Sequence, residues 1–315
     1  MEKCWVVFKN ENGIESSTVF VRDLPEILKI KKPLWVHFRN MTEEIEDFLL
    51  EQLKINELSI EDAVYEDRPK AETFESYVFI LLLYFDGRIS RKRKFSIFWT
   101  KDLIVTVGSR KLFEETKTEL SLEESEEIMP DKIFWFISST VVDRCKRVAL
   151  TLERQLDDIE VKVFREQNPE LLEDISDLSF EIISLRRTVK QLRDVFRSFL
   201  SSLPRFGKSK NIHFLRDVSD ELVMLYDHID TLHEMLQNIF SVFSSLVEFK
   251  LNDIMKTLTI IMTIFAPITM ISGYYGMNVV DLPFSDSHFG LFVVTGMMAL
   301  MSFGFLAYFR KKQWL

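Results

Sequence analysis

The chain has 315 residues, of which 28% are charged and 47% hydrophobic, and its formal net charge is −9 at pH 7. This length allows one or two soluble cores, and an acidic chain with a calculated pI near 5.3 argues against nucleic-acid binding. The charges are unevenly distributed, because nearly all of them precede Lys256 and none lies between Thr257 and Tyr275. The averages therefore conceal an apolar C-terminal part.

Residues 1–125 are predicted to form a cytoplasmic α/β domain. Strand-like runs are CWVVFK, LWVHF, YVFILLLYF, FSIFWT and LIVTVG, and helical runs are TEEIEDFLLEQL and IEDAVYE. The first residues, MEKCWVVFKNENG, lack an apolar core of signal-peptide length, so we expect the first 250 residues to stay in the cytoplasm. Cys4 and Cys145 are interpreted as reduced packing residues.

Residues 126–205 are predicted to form a long helical hairpin. The acidic run SLEESEEIMPDK marks its boundary, Pro130 is suited to start the first helix, and REQNPE forms the turn between two antiparallel helices.

Residues 206–275 are predicted to form one very long stalk helix that continues into the membrane. No glycine or proline lies between Gly207 and Pro267, so the helix is expected to begin near Asn211. About 65 residues extend roughly 100 Å, of which only about 30 Å lies in lipid. A lone helix of that length has no reason to stay straight, and we expect it to pack against copies of itself.

Two apolar runs match the thickness of a bilayer core. The first ends at Tyr275, and the second, FGLFVVTGMMALMSFGFLAYF, covers residues 289–309. Basic residues precede the first span at Lys250 and Lys256 and follow the second in the tail 310–315, whereas the outer loop 276–288 contains no Lys or Arg. This charge pattern predicts a multi-pass protein of the plasma (inner) membrane with both termini in the cytoplasm. Taken together, an N-terminal α/β domain, a long helical hairpin and a stalk helix that continues into the first of two spans give a predicted fold class of α+β.

A row of polar, small or flexible residues runs along the first span. Its members follow one another at spacings of three and four: Asn252, Met255, Thr259, Met262, Ala266, Thr269 and Gly273. One interpretation is a packing seam between membrane helices. The other is the wall of an aqueous path, which would require several chains, since two spans cannot enclose a path.

The segment Tyr275-Gly276-Met277-Asn278 directly follows the first span and precedes a short loop and a terminal span with a basic end. In this position it resembles the signature of the CorA family of magnesium transporters. The run MKTLTIIMTIFAPITMISGYYGMN is similar to the family's pore helix along its length, and the resemblance covers essentially the whole chain. It implies a funnel-shaped homopentamer that admits Mg²⁺ and is closed by intracellular Mg²⁺.

The resemblance also implies roles for individual residues in the pore. A ring of Asn278 amide carbonyls would accept hydrogen bonds from the water shell of Mg²⁺ at the entrance, Gly276 would let the backbone turn, and Tyr275 suits the interface. Met255 and Leu258 would form an apolar constriction that gates by dewetting. The pore lining implied by the family is Asn252, Met255, Leu258, Ala266, Thr269 and Gly273, to which the spacing adds Thr259.

Two features depart from the family pattern. Ala266 replaces the methionine expected before the proline, and the outer loop reads DLPFSDS, in which Asp281 or Asp286 could supply the charge that attracts cations.

Two cytoplasmic positions match the family's metal-sensing acids. Asp62, with Glu61 beside it, is implied to face Asp217 on the stalk of the next subunit; without the family these would be ordinary surface acids. Asp227, Asp230 and Glu234 are interpreted as solvated charges. No resident cofactor is expected, because Mg²⁺ is the transported and regulatory ion.

Alternatives remain for the ion and for the class of protein. A zinc, cobalt or nickel transporter of the same superfamily would share the signature, and a membrane-anchored sensor or scaffold could form a bundle that does not conduct. An enzyme is not expected, because HEMLQ lacks the second histidine of a zinc-protease helix and no phosphate-binding glycine loop is present.

Overall fold

The computed structural model describes residues 2–10, 13–31, 34–87, 89, 91–122, 129–166, 168–202, 212–277, 283 and 289–314. The chain divides into two units, Met1–Ile239 and Phe240–Leu315. The strands are β1 (Lys3–Asn10), β2 (Gly13–Phe20), β3 (Trp35–Phe38), β4 (Lys70–Thr73), β5 (Tyr77–Phe85), β6 (Lys92–Thr100) and β7 (Ile104–Gly108). The α-helices are α1 (Leu24–Lys31), α2 (Glu43–Glu51), α3 (Glu57–Tyr65), α4 (Arg110–Ser121), α5 (Pro130–Glu166), α6 (Leu171–Ser202), α7 (Ile212–Tyr275) and α8 (Gly290–Lys311).

The seven strands form one mixed sheet in the order β2-β1-β3-β7-β6-β5-β4. Strands β3 and β7 are parallel, and the other neighbouring pairs are antiparallel. The five strands predicted from the sequence are confirmed. The two that were missed, β2 and β4, are the two edges of the sheet, where polar side chains are tolerated and the apolar pattern is weak.

The core of the first unit lies on both faces of this sheet. Every residue of β5 is buried, which explains its continuous apolar sequence. On one face, β5 packs with residues of α1, α2 and α3, among them Leu24, Phe48 and Ile60. Helices α4 and α5 cover the other face. There the rings of Trp35 and Phe113 meet edge-on, with 4.6 Å between their centroids. A mostly antiparallel sheet, followed along the chain by the long helices, makes this an α+β fold.

Buried Cys4 and Cys145 confirm the packing role predicted for the two cysteines. Burial raises the pKa of each thiol to about 12, so both remain protonated and unreactive near neutral pH.

Helices α5 and α6 pack against each other and are joined by residues 167–170, which confirms the predicted hairpin. The first part of α7 packs against the same hairpin through two ion pairs, Lys146 with Glu221 (3.1 Å) and Arg186 with Asp230 (2.5 Å), and His228 Nε2 lies 3.5 Å from Glu153 Oε2.

The buried residues of this part of α7 are spaced by three and four: Leu215, Val218, Leu222, Leu225, Ile229, Leu232, Leu236 and Ile239. The chain's own hairpin covers one face of this stretch, and packing of the stalk against copies of itself stays a prediction for its exposed faces. Asp230, interpreted from the sequence as a solvated charge, instead pairs with Arg186.

The predicted starts of α5 and α7 agree with the structure, and both predicted apolar runs lie on helices. Helix α5 begins at Pro130, and α7 continues for 64 residues with Pro267 inside it. Among the described residues, α7 and α8 are the helices long and apolar enough to cross a membrane.

Candidate ion pathway and regulatory acids

From Ile260 to Tyr275, one face of α7 is less exposed than the rest. Its least exposed residue is Ile260, at 6%, and the partly covered positions are Thr263, Ile264, Pro267, Ile268, Ile271 and Tyr275. Helix α8 has a matching face at Gly290, Val294, Met298, Ser302, Phe305 and Phe309. We infer that the two helices pack through these faces, since they are the helices described in the second unit.

The predicted pore-lining residues lie on the opposite side of α7. At about 100° per residue, their mean direction is roughly 200° from that of the covered face. All seven are exposed in the single chain: Asn252, Met255, Leu258, Thr259, Ala266, Thr269 and Gly273. This row, called the open face below, is therefore available to solvent, lipid or another chain.

Two threonines make the open face suitable for a hydrated cation. The hydroxyl of Thr259 donates to the carbonyl of Met255 at 2.7 Å, and that of Thr269 donates to Phe265 at 2.9 Å. Each hydroxyl proton is thus used within the helix, and the oxygen keeps lone pairs for an outside donor. The water shell of a cation directs its hydrogens outward and requires such acceptors.

Apart from Asn252, the remaining open-face positions are apolar or small. Met255 and Leu258 are 58% and 42% exposed, so their side chains are free to meet those of other copies. A Cβ added to Gly273 would have no atom within 4 Å. Within the single chain, nothing described near Gly273 requires a glycine.

The signature begins at the end of α7. Gly276 N–H donates to the carbonyl of Ser272 at 2.9 Å, and a Cβ at Gly276 would lie 3.1 Å from that oxygen. Its φ is not positive, so close approach to the preceding turn, rather than a left-handed conformation, favours glycine here. Tyr275 is the last helical residue and Met277 is exposed. Asn278, Asp281 and Asp286 lie outside the described residues.

The predicted sensor acids occupy different elements of the first unit. Glu61 and Asp62 lie on α3, and Asp217 lies near the start of α7; Glu61 and Asp217 are exposed and Asp62 is partly buried. Within the described part of the chain, no group of three or more His, Cys, Asp or Glu residues could hold a metal ion.

Asp62 has a partner that the sequence did not reveal. Lys70 Nζ, on β4, lies 2.6 Å from Asp62 Oδ2 and 2.9 Å from Glu72 Oε1. Its hydrogen bonds to Asp62 and then Glu72 raise the pKa of Lys70, so the ammonium is charged at neutral pH. No local pattern predicts this contact, because only the tertiary structure brings β4 to the end of α3.

Comparison with known proteins decides the family. Residues 31–311 match the family described as CorA-like Mg²⁺ transporter protein. The chain belongs to this family. It is 27% identical to the cobalt/magnesium transport protein CorA of Thermotoga maritima over 297 residues, covering 90% of this chain and 84% of that protein. It is also 20% identical to the zinc transport protein ZntB of Pectobacterium atrosepticum, covering 92% and 90%.

The fold of a CorA protein is also shared by this chain over nearly its full length. The complete structure of the CorA magnesium transporter from Methanocaldococcus jannaschii superposes with a TM-score of 0.83 at 20% identity, covering 99% of this chain and 98% of that one. The resemblance inferred from the sequence is confirmed. The protein is thus a membrane protein of a divalent cation transporter family, and this family is not one of enzymes.

Proposed function

We propose that this CorA-family chain is the subunit of a homopentameric channel that admits hydrated Mg²⁺ through the plasma (inner) membrane, with both termini in the cytoplasm. The observation that carries the proposal is the open face of α7, whose predicted pore residues are all exposed opposite the covered face. Two spans cannot enclose a path, so copies of α7 must surround the axis with their open faces directed inward.

The entrance is assigned to Tyr275, Gly276, Met277 and Asn278. Mg²⁺ loses its water reluctantly, so a ring of neutral amide carbonyls from Asn278 would hold the hydrated ion by hydrogen bonds. A ring of carboxylates would bind it more tightly and slow its release. Below the entrance, Thr269 and Thr259 continue the series of acceptors, and Met255 with Leu258 forms the apolar gate.

The gate is proposed to respond to Mg²⁺ bound between Asp62, with Glu61 beside it, and Asp217 of a neighbouring copy. Carboxylates brought close repel each other unless a cation lies between them. Bound Mg²⁺ would therefore favour the closed ring, and the gate can shift only by the difference in metal affinity between the two states. An ion held by a few carboxylates, and still largely hydrated, would bind weakly, on the order of millimolar.

Zinc is the competing ion, since a zinc transport protein is among the relatives. The open face has amide and hydroxyl oxygens but no histidine or cysteine between Asn252 and Gly273. Imidazole and thiolate groups suit zinc, whereas oxygen ligands suit magnesium, which favours Mg²⁺. Cobalt and nickel remain cargo to be tested beside it.

The decisive experiment is uptake into liposomes loaded with a Mg²⁺-sensitive dye, with parallel Zn²⁺, Co²⁺ and Ni²⁺ arms. We expect Asn278→Ala to abolish Mg²⁺ uptake while light scattering still reports a pentamer. Ser272→Ala, six residues earlier in the chain and outside the predicted pore lining, is the matched control and should conduct. Near-normal uptake by Asn278→Ala would remove that residue from the entrance, and a monomer or dimer would remove the pore. A pentamer that passes no ion would support the scaffold alternative.

A further inference from the structure

The acid assigned to metal sensing already has a cation bound to it within the chain. The ammonium of Lys70 lies 2.6 Å from Asp62 Oδ2 and 2.9 Å from Glu72 Oε1. The side chains of Asp62, Lys70 and Glu72 are 25%, 34% and 39% exposed. Water and a hydrated metal ion can therefore reach the Asp62 carboxylate while it is paired with Lys70.

Both partners of this ion pair are fixed by regular structure. Lys70 begins the edge strand β4 and is aligned with Leu81 of β5. Asp62 lies in the last turns of α3, where Lys94 Nζ donates to the carbonyl of Val64 at 2.8 Å. The backbone positions of Lys70 and Asp62 are therefore set by the sheet and the helix. An ion pair between two residues in surface loops would lack this support.

The charges show how a metal ion could exchange with the lysine. Lys70, Asp62 and Glu72 together carry a net charge of −1, so a divalent cation is still attracted to the group. When a metal ion takes Asp62, the displaced ammonium keeps Glu72 as a partner. When the metal leaves, the ammonium returns, and the carboxylate is not left unpaired.

We propose that Lys70 is a built-in competitor for the divalent cation at Asp62, and that it sets the metal concentration at which the sensor fills. This inference rests on the proposed role of Asp62 and adds a mechanism to it. Without Lys70, the carboxylate would be free and the site would fill at a lower concentration. A partly exposed ion pair contributes little energy, which corresponds to an effect of roughly three- to fivefold.

The test is a Mg²⁺ titration of protease protection on the full-length protein in detergent. We expect Lys70→Met, which keeps the aliphatic stem, to lower the midpoint about three- to fivefold, and Lys70→Arg to restore it towards that of the parent. In the Asp62→Asn background, Lys70→Met should cause no shift. Circular dichroism checks the fold, and Lys70→Gln provides a second variant if Lys70→Met misfolds.

Two lysine controls separate direct competition from a general change of charge. Lys29→Met removes an exposed positive charge on α1, and Lys101→Met removes an exposed one between β6 and β7. Both should shift the midpoint by less than about twofold, since neither lysine contacts Asp62. An equal shift in Lys29→Met and Lys70→Met, or no shift in Lys70→Met, overturns the proposal.

The same titration keeps this proposal distinct from the channel itself. A parent protein that conducts Mg²⁺ but shows no Mg²⁺-dependent protection would refute both the sensor and the competitor while leaving the channel. A parent that is protected by Mg²⁺ but does not conduct would refute the channel, and the midpoint of Lys70→Met would still decide the role of Lys70.

Discussion

Helix α7 carries two rows of residues with the same spacing and opposite surroundings. The first row, from Leu215 to Ile239, consists of Leu, Val and Ile and is buried, beside ion pairs to α5 and α6. The second, from Asn252 to Gly273, consists of polar, small or flexible residues and is exposed. Spacing alone therefore does not show whether a row of residues is covered by other parts of the chain. The side-chain types show it, because branched apolar residues need a covered face, whereas amides, hydroxyls and small residues tolerate water.

The largest contrast between the rows should appear in stability. Ile229→Ala opens a cavity at a fully buried position and should cost about 2–5 kcal/mol of unfolding free energy. Met262→Ala, at a position 59% exposed, should change it by less than about 0.5 kcal/mol. Chemical denaturation followed by tryptophan fluorescence measures both. Equal losses would mean that the second row is packed within the chain.

The second contrast is between a buried histidine, His37, and an exposed one, His213. His37 stacks on Phe113 at 4.4 Å, its Nδ1 lies 2.9 Å from Thr106 Oγ1, and burial lowers its pKa from 6.5 to about 3. Below pH 6.5 the unfolded chain takes up a proton that the folded chain refuses. The free energy of unfolding is therefore unaffected by His37 well above pH 6.5 and falls as the pH decreases towards 3. At pH 5 the loss is about 2 kcal/mol.

Denaturation at pH 7 and pH 5 tests the histidine, with His37→Phe as the variant that removes the titrating ring. We expect His37→Phe to lose less stability on acidification than the parent. Exposed His213→Gln is the control and should behave like the parent. An unchanged acid sensitivity in His37→Phe would show that other groups cause it.

The third contrast sharpens the role of the open-face hydroxyls. Thr259→Val keeps the side-chain shape and removes the acceptor, and should reduce Mg²⁺ uptake about fivefold, the equivalent of one hydrogen bond of about 1 kcal/mol. Thr263→Val is the matched control, because Thr263 makes the same type of bond, to Thr259 at 2.7 Å, but lies on the covered face. Equal uptake in the two variants, measured in dye-loaded liposomes, would contradict a pore on the open face.

The smallest expected effect is at Gly273. Its surroundings are empty in the single chain, so Gly273→Ala should stabilise the helix by about 0.5–1 kcal/mol. Uptake should nevertheless fall, because the added methyl groups would narrow a pore lined by several copies. Gly304→Ala on α8, where a Cβ also meets nothing within 4 Å, should leave uptake unchanged. A fall in both variants would point to a general effect on the membrane helices.

The long helices, two of them with the length and composition of membrane spans, and their order along the chain were predictable because their signals are local. Helix α5 starts at its proline, α7 runs through a stretch free of Gly and Pro up to Pro267, and α8 coincides with an uncharged run. Buried strands such as β5 are recognisable in the sequence as continuous runs of apolar residues. Most of the open face could likewise be chosen from spacing and residue type, and Leu258 was added by the resemblance to the family.

Other features depend on contacts between residues far apart in the chain, and these only the tertiary structure decided. The edge strands β2 and β4 form because neighbours pair with them, and the first row of α7 is covered because the hairpin folds against it. Asp62 and Lys70 are eight residues apart, with no helix or strand period linking them, and their ion pair exists because α3 and β4 are held by the same sheet. Local periodicity specifies which face of an element is apolar, but the partner that covers it is chosen by packing.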